Sequence, residues 1–186
     1  MALGIEHLAL LILAPAMAYA CWRDLKEHRI PNWLCGLLVL SGFVVHGVLQ
    51  GGSGLSESLS GAACGFGLLI ALWLIHAMGA GDVKYMAGVG AWLGPEMTFH
   101  AVIAGILVGG AISVGMIVYQ RTWSRFASNM GLMLVKLSSA RTAFGEFASA
   151  NQFSGNGKAS VPYAIPLTLG VWGVLLFSQI GWWKVW

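Results

Sequence analysis

Gly79-Ala80-Gly81-Asp82-Val83-Lys84 is a short charged break between two long apolar runs, and its reading decides the fold. The sequence holds one other aspartate, Asp24, in Arg23-Asp24-Leu25-Lys26-Glu27-His28-Arg29, where an earlier apolar run gives way to charge. An ionisable group kept at a membrane boundary is costly, so each aspartate is a candidate functional residue.

Working outward, 58% of the 186 residues are apolar and 9% are charged, against roughly 25% charged in ordinary soluble domains. Mean hydropathy is +0.76. This composition excludes a soluble domain and points to a polytopic membrane protein forming one domain over residues 1–186. The apolar runs are long and do not alternate, so the backbone satisfies itself in helices rather than in a barrel, giving an all-α membrane fold. No nucleic-acid partner is expected. Cys21, Cys35 and Cys64 are scattered and form no Cys-x-x-Cys pair, which argues against a zinc site or a disulfide framework. The first run has Glu6 and His7 ahead of it and its basic cluster behind it, the reverse of a signal peptide, so it is expected to be a retained span.

A span needs about 20 apolar residues. By that measure spans fall near 5–22, 32–49, 58–78, 97–119 and 161–181. A sixth, short helix begins at Asp82, ends at Gly94-Pro95 and is sheltered by its neighbours. Six crossings put the loops 23–31, 79–84 and 120–160 on one side, and these carry nine of the ten Lys and Arg residues, leaving Lys184 on the other. The positive-inside rule makes those loops cytoplasmic and both termini external.

Pro31 suits the first turn of the second span. Gln50-Gly51-Gly52-Ser53-Gly54 reads as a flexible external turn. In the 120–160 segment, Trp123, Phe126, Met130, Leu134, Leu137, Phe144 and Phe147 recur at helical steps, as in an interfacial helix lying on anionic lipid or a helix packed on the bundle. Val161-Pro162-Tyr163-Ala164-Ile165-Pro166 opens the last span, where two prolines are expected to loosen the backbone level with the aspartates. Trp182, Trp183 and Trp186 read as interfacial anchors, and Gly105, Gly109, Gly110 and Gly115 as small residues that let helices approach closely.

Two carboxylates facing each other cannot both ionise easily, so they share a proton. That state suits peptide hydrolysis: the ionised member takes a proton from an attacking water, and the protonated one hydrogen-bonds the carbonyl oxygen and later protonates the leaving amine. Gly79 and Gly81 would let an extended substrate backbone come close and permit dihedrals that other residues resist. Lys84 is expected to reach lipid headgroups. The plainer reading of Asp82 is a helix N-cap, and of Asp24 a solvated loop carboxylate. His7, His28, His46, His76 and His100 are dispersed, so no metal site is expected.

With Asp24 and Ile30-Pro31-Asn32, the Gly79-Ala80-Gly81-Asp82-Val83-Lys84 stretch resembles the type IV prepilin peptidases, bacterial membrane aspartyl proteases with a Gly-x-Gly-Asp motif. The likeness extends over essentially the whole chain, and Pro162 and Tyr163 resemble part of the family's last-helix motif. It implies cleavage of pilin-like precursors at the cytoplasmic face of the inner membrane, after a glycine ending a short basic leader. Asp24 and Asp82 would be the catalytic pair, Gly79, Gly81, Lys84, Pro162 and Tyr163 would shape the site, and no metal or organic cofactor would be needed. Larger members also methylate the new N-terminus through a cysteine-bearing segment between the first two spans. Here that loop is about eight residues without cysteine, which argues against methyltransferase activity. The short form looks most like the peptidases of tight-adherence (Flp-type) pilus systems.

Three other readings compete. A small proton or cation transporter would favour ionisable groups at the bilayer midplane and an internal repeat, and neither is evident. A structural assembly protein would use the aspartates as caps. An intramembrane Gly-x-Gly-Asp protease acting on spanning helices usually carries its first aspartate within a helix rather than in a charged loop.

Overall fold

The computed structural model of the chain describes residues 5–27, 29–74, 78–120 and 163–179. All the described secondary structure is helical: α1 (Ile5–Glu27), α2 (Asn32–Leu74), α3 (Ala80–Gln120) and α4 (Ala164–Gln179). Three of these are long and apolar enough to cross a membrane, over Leu8–Glu27, Asn32–Leu74 and Ala80–Gly115, with Ala164–Phe177 a shorter apolar helix. The chain divides into two compact units, 1–109 with 162–186, and 110–161. The amphipathic pattern of 120–160, Pro162 and the terminal tryptophans lie outside the described residues.

A straight helix of 43 residues would be about 65 Å long, twice the thickness of a hydrocarbon core. α2 avoids this by breaking at Gly51, whose φ of 67° belongs to the left-handed region that glycine tolerates. Residues before the break run parallel to the start of α3, with Gly88 against Leu38 and Gly42 against Ala91. Residues after it run the other way, with Ser58 bonded to Ala91 and Gly65 against Met86. The chain therefore reverses at Gly51, and the expected Gln50–Gly54 loop shrinks to one residue. Ser53 and Ser56 hydroxyls bond the Gln50 and Ser53 carbonyls, keeping the new turn helical.

α3 reverses in the same way at Gly94 (φ 73°), and Pro95 opens the following leg, where its missing N–H is not needed. Thr98 then comes back beside Gly90. The described residues thus form six helical legs: α1, 32–50, 52–74, 80–93, 95–120 and α4.

The 80–93 leg is the centre of the larger unit. Tyr85, Met86, Val89, Ala91 and Trp92 are fully buried, as expected for a short helix sheltered by its neighbours. Its C-terminal carbonyls, which a helix end leaves unpaired, are met by side chains. Ser58 Oγ donates to Ala91 at 2.7 Å, His46 Nε2 to Trp92 at 3.2 Å and Thr98 Oγ1 to Gly94 at 2.6 Å. Trp92 Nε1 in turn donates to the Leu38 carbonyl at 3.1 Å. His46 is thus a satisfied core histidine.

Two further expectations change. α1 continues to Glu27, so Asp24 lies within a helix and not in a charged loop. An Arg23–Glu27 ion pair one turn apart and Lys26 near the helix C-terminus, 5.2 Å from the Trp22 ring, favour the extra turn. In α4, Pro166 is the third residue of the helix. The first four N–H groups of a helix have no intrahelical acceptor, so Pro166 loosens nothing, and the Leu167 N–H bonds the Tyr163 carbonyl at 3.2 Å. Pro31 sits just before α2, its carbonyl accepting the Leu34 N–H at 3.1 Å.

Candidate active site

α3 starts at Ala80, which makes Gly79 the capping residue and places Asp82 in the helix's first turn. The Asp82 carboxylate reaches back and accepts the Gly79 N–H at 3.3 Å, the reciprocal half of a capping box. Asp82 is therefore not the cap itself. It is 8% exposed, which is little for a carboxylate that does nothing but cap.

Asp24 reaches its place from the last turn of α1. It is 6% exposed, and its Oδ2 accepts the Ala164 N–H, the first of α4, at 3.0 Å in a buried bond. This bond joins residues 140 apart in sequence and rules out a solvated loop carboxylate. Asp24 and Asp82 lie within electrostatic range of each other. Each carboxylate thus meets an unpaired N–H group at a helix N-terminus, Asp24 at that of α4 and Asp82 at that of α3.

The other predicted site residues divide. Lys84 is exposed and its Nζ donates to Asn32 Oδ1 at 3.2 Å, which ties the Gly-x-Gly-Asp turn to the start of α2. Ile30 lies against Gly81, where an added Cβ would sit 3.6 Å from it, ordinary contact. A Cβ on Gly79 would sit 3.2 Å from Asp82 Oδ2, tight enough to displace the carboxylate. Neither glycine has a positive φ, so the dihedral argument for them fails and closeness to the carboxylate remains. Tyr163 is half-buried beside Gly109. Among the described residues no three His, Cys, Asp or Glu side chains converge as a metal site would require.

The steric difference between the two glycines sets an expected result. Gly79→Ala pushes the Asp82 carboxylate away by a few tenths of an ångström and loosens its bond to the Gly79 N–H, lowering stability by about 1 kcal/mol. Gly81→Ala costs clearly less. Equal losses in side-by-side thermal melts would mean that the contact with Asp82 is not what glycine at 79 protects.

Three residues absent from the sequence-based set border the site. Cys21 Sγ lies 3.3 Å from Thr168 Oγ1, and the Tyr85 hydroxyl lies 3.1 Å from the same atom. Cys21 and Tyr85 stand three residues from Asp24 and Asp82, a helical spacing that could have found them. Thr168 gives no such signal, because it is far off in the chain.

The family model for type IV leader peptidases matches residues 11–114, more than half of the chain and both aspartates. This chain belongs to the type IV leader peptidase family. The prepilin leader peptidase/N-methyltransferase of Aeromonas hydrophila is 29% identical over 124 residues, covering 61% of this chain and 41% of the relative. The protein of the same description from Aeromonas salmonicida (strain A449) matches to the same extent. The match thus spans about two-fifths of the length of these relatives. No solved structure matches.

Proposed function

We propose that this chain is an aspartic endopeptidase that removes the short basic leader of pilin-like precursors after a glycine. It acts at the cytoplasmic face of a bacterial inner membrane, with the six helical legs as six crossings and both termini outside. The observation that carries this reading is the burial of Asp24 and Asp82, the only aspartates, at the ends of separate helices and in range of each other.

Two carboxylates so placed hold one proton between them. The ionised member takes a proton from the water that attacks the scissile carbonyl. The protonated member hydrogen-bonds the carbonyl oxygen as charge grows on it and then supplies a proton to the leaving amine. Gly79 and Gly81 leave room for the substrate backbone beside Asp82, and Lys84 braces that turn through Asn32. The connection between α1 and α2 runs only from residue 28 to 31, without cysteine, which favours proteolysis without methylation. The shortness of that connection also fits a compact Flp-type enzyme. The basic loops and any interfacial helix within 120–160 would face anionic lipid.

One observation favours a second reading. Asp24 lies inside α1, the placement expected of an intramembrane Gly-x-Gly-Asp protease that cuts spanning helices. The deciding experiment offers the purified chain two substrates, a pilin-like precursor with a basic leader ending in glycine and a spanning helix without a leader. Cleavage of the first, with a new N-terminus directly after the glycine, is the expected result. Cleavage of the second alone establishes the alternative, and proton flux in proteoliposomes without cleavage of either returns the protein to the transporters.

A further inference from the structure

Beneath the aspartates the three helices that build the site meet a second time. Cys21 lies one turn before Asp24 on α1, Tyr85 one turn after Asp82 on α3, and Thr168 one turn after Ala164 on α4. Residues three or four apart share a helix face, so the faces that present Asp24, Asp82 and the Ala164 N–H also present these three side chains. They converge on one atom. Thr168 Oγ1 is 3.1 Å from the Tyr85 hydroxyl and 3.3 Å from Cys21 Sγ, and Cys21 Sγ also lies 3.7 Å from the Ala164 carbonyl. Tyr85 is fully buried and Thr168 nearly so.

A hydroxyl accepts two hydrogen bonds and donates one, so Thr168 can join both neighbours at once. In an apolar interior each of these polar groups costs free energy if left unpaired, and separating the helices would unpair all three. α1, α3 and α4 are therefore locked in register one turn from the carboxylates.

We propose that Thr168 is a positioning residue. Joined to Tyr85 and Cys21, it fixes the separation of Asp24 and Asp82 so that the two carboxylates share one proton. The proposal rests on the diaspartyl reading above. The coupling of two carboxylates falls with distance, and a displacement of about 1 Å can cost up to about 100-fold in rate. Among the described residues the further titratable groups near this junction are Cys35, whose thiol is uncharged at neutral pH in its ordinary state, and Lys84, which is exposed and bonded to Asn32.

The sequence makes the test clean, because a label on aspartate reports Asp24 and Asp82 alone. The full chain is prepared with carbon-13 in its aspartate carboxyls and titrated by NMR, intact and as Thr168→Val, Thr168→Ser and Tyr85→Phe. Valine keeps the shape of threonine and loses the hydroxyl. In the intact chain the two carboxyls titrate in steps separated by more than about one pH unit, as coupled groups do. In Thr168→Val and Tyr85→Phe the steps draw together, and kcat for precursor cleavage falls about 10-fold with KM within about 2-fold. Thr168→Ser recovers most of both.

If Thr168→Val and Tyr85→Phe lower thermal stability alone, with the spacing of the steps and kcat per folded molecule intact, the triad is a structural clamp and the proposal is overturned. Failure of the intact chain to cleave would remove the peptidase reading, while the aspartate titration would still decide for or against the triad.

Discussion

Asp82→Asn abolishes precursor cleavage in a chain that still folds. Asparagine keeps an oxygen that can accept the Gly79 N–H, so the reciprocal cap and the start of α3 survive and stability changes by no more than about 1 kcal/mol. What is lost is the proton that the carboxyl holds or takes, and with it at least about 1000-fold in rate. Asp24→Asn behaves alike, since its amide oxygen can still accept the Ala164 N–H. Because the two act as a unit, the double variant is scarcely worse than either single one. Asp24→Ala is inactive and in addition unpairs the first N–H of α4, costing about 1 kcal/mol or more of stability. The measurement is product formed per folded molecule, followed by mass spectrometry of the new N-terminus. Cleavage within about 10-fold of the intact rate in either Asn variant would remove that aspartate from the chemistry. A protein in which the aspartates served only as caps would retain full function in Asp82→Asn.

Much of this arrangement was legible in the sequence because the membrane leaves so few ways to satisfy a backbone. The apolar runs and the Gly94-Pro95 stop located the legs, and the presence of only two aspartates, each where an apolar run meets charge, singled out Asp24 and Asp82 as candidates. Local helix ends were less legible. Charge at 23–27 reads as solvated loop, yet in the structure it extends α1 through a one-turn ion pair. Pro166 reads as a helix breaker, and its place in the first turn of α4 makes it harmless. The stretch from Gln50 to Gly54 reads as a loop, since a run of Gly and Ser between apolar stretches looks the same whether the chain turns over five residues or over Gly51 alone. Contacts between distant segments were not legible at all. The bond from Ala164 to Asp24 and the meeting of Cys21, Tyr85 and Thr168 depend on which helix faces which, and no spacing within one helix encodes that.

Gly170→Ala disables the protein by a different route, through packing alone. A Cβ on Gly170 would meet the Gly105 backbone nitrogen and lie 2.6 Å from the Ala101 carbonyl oxygen and 2.8 Å from Gly105 Cα. From the other side, a Cβ on Gly105 would lie 2.9 Å from Leu167 Cδ2 and 3.0 Å from Leu167 Cα. α4 and residues 101–105 of the preceding leg are thus in backbone contact, which the small residues on both sides permit. Nothing flexible stands opposite Gly170, so the methyl group is accommodated only by moving a helix. Overpacking of this kind costs about 1–3 kcal/mol, more than the gain of about 1 kcal/mol that alanine offers over glycine within a helix. Gly173, one turn on in the same helix, has no described atom within 4 Å of an added Cβ. Gly173→Ala therefore keeps the helical gain and raises the unfolding temperature slightly, where Gly170→Ala lowers it. The consequence reaches the site because α4 carries both the Ala164 N–H that Asp24 accepts and the Thr168 hydroxyl. A shifted α4 moves one carboxylate's partner and the lock beneath it together, so cleavage falls further than the loss of folded protein accounts for. Parallel thermal melts and rate measurements on the two alanine variants check this, and a Gly170→Ala chain as stable and active as the Gly173→Ala one would show that the close approach is not a constraint on the fold.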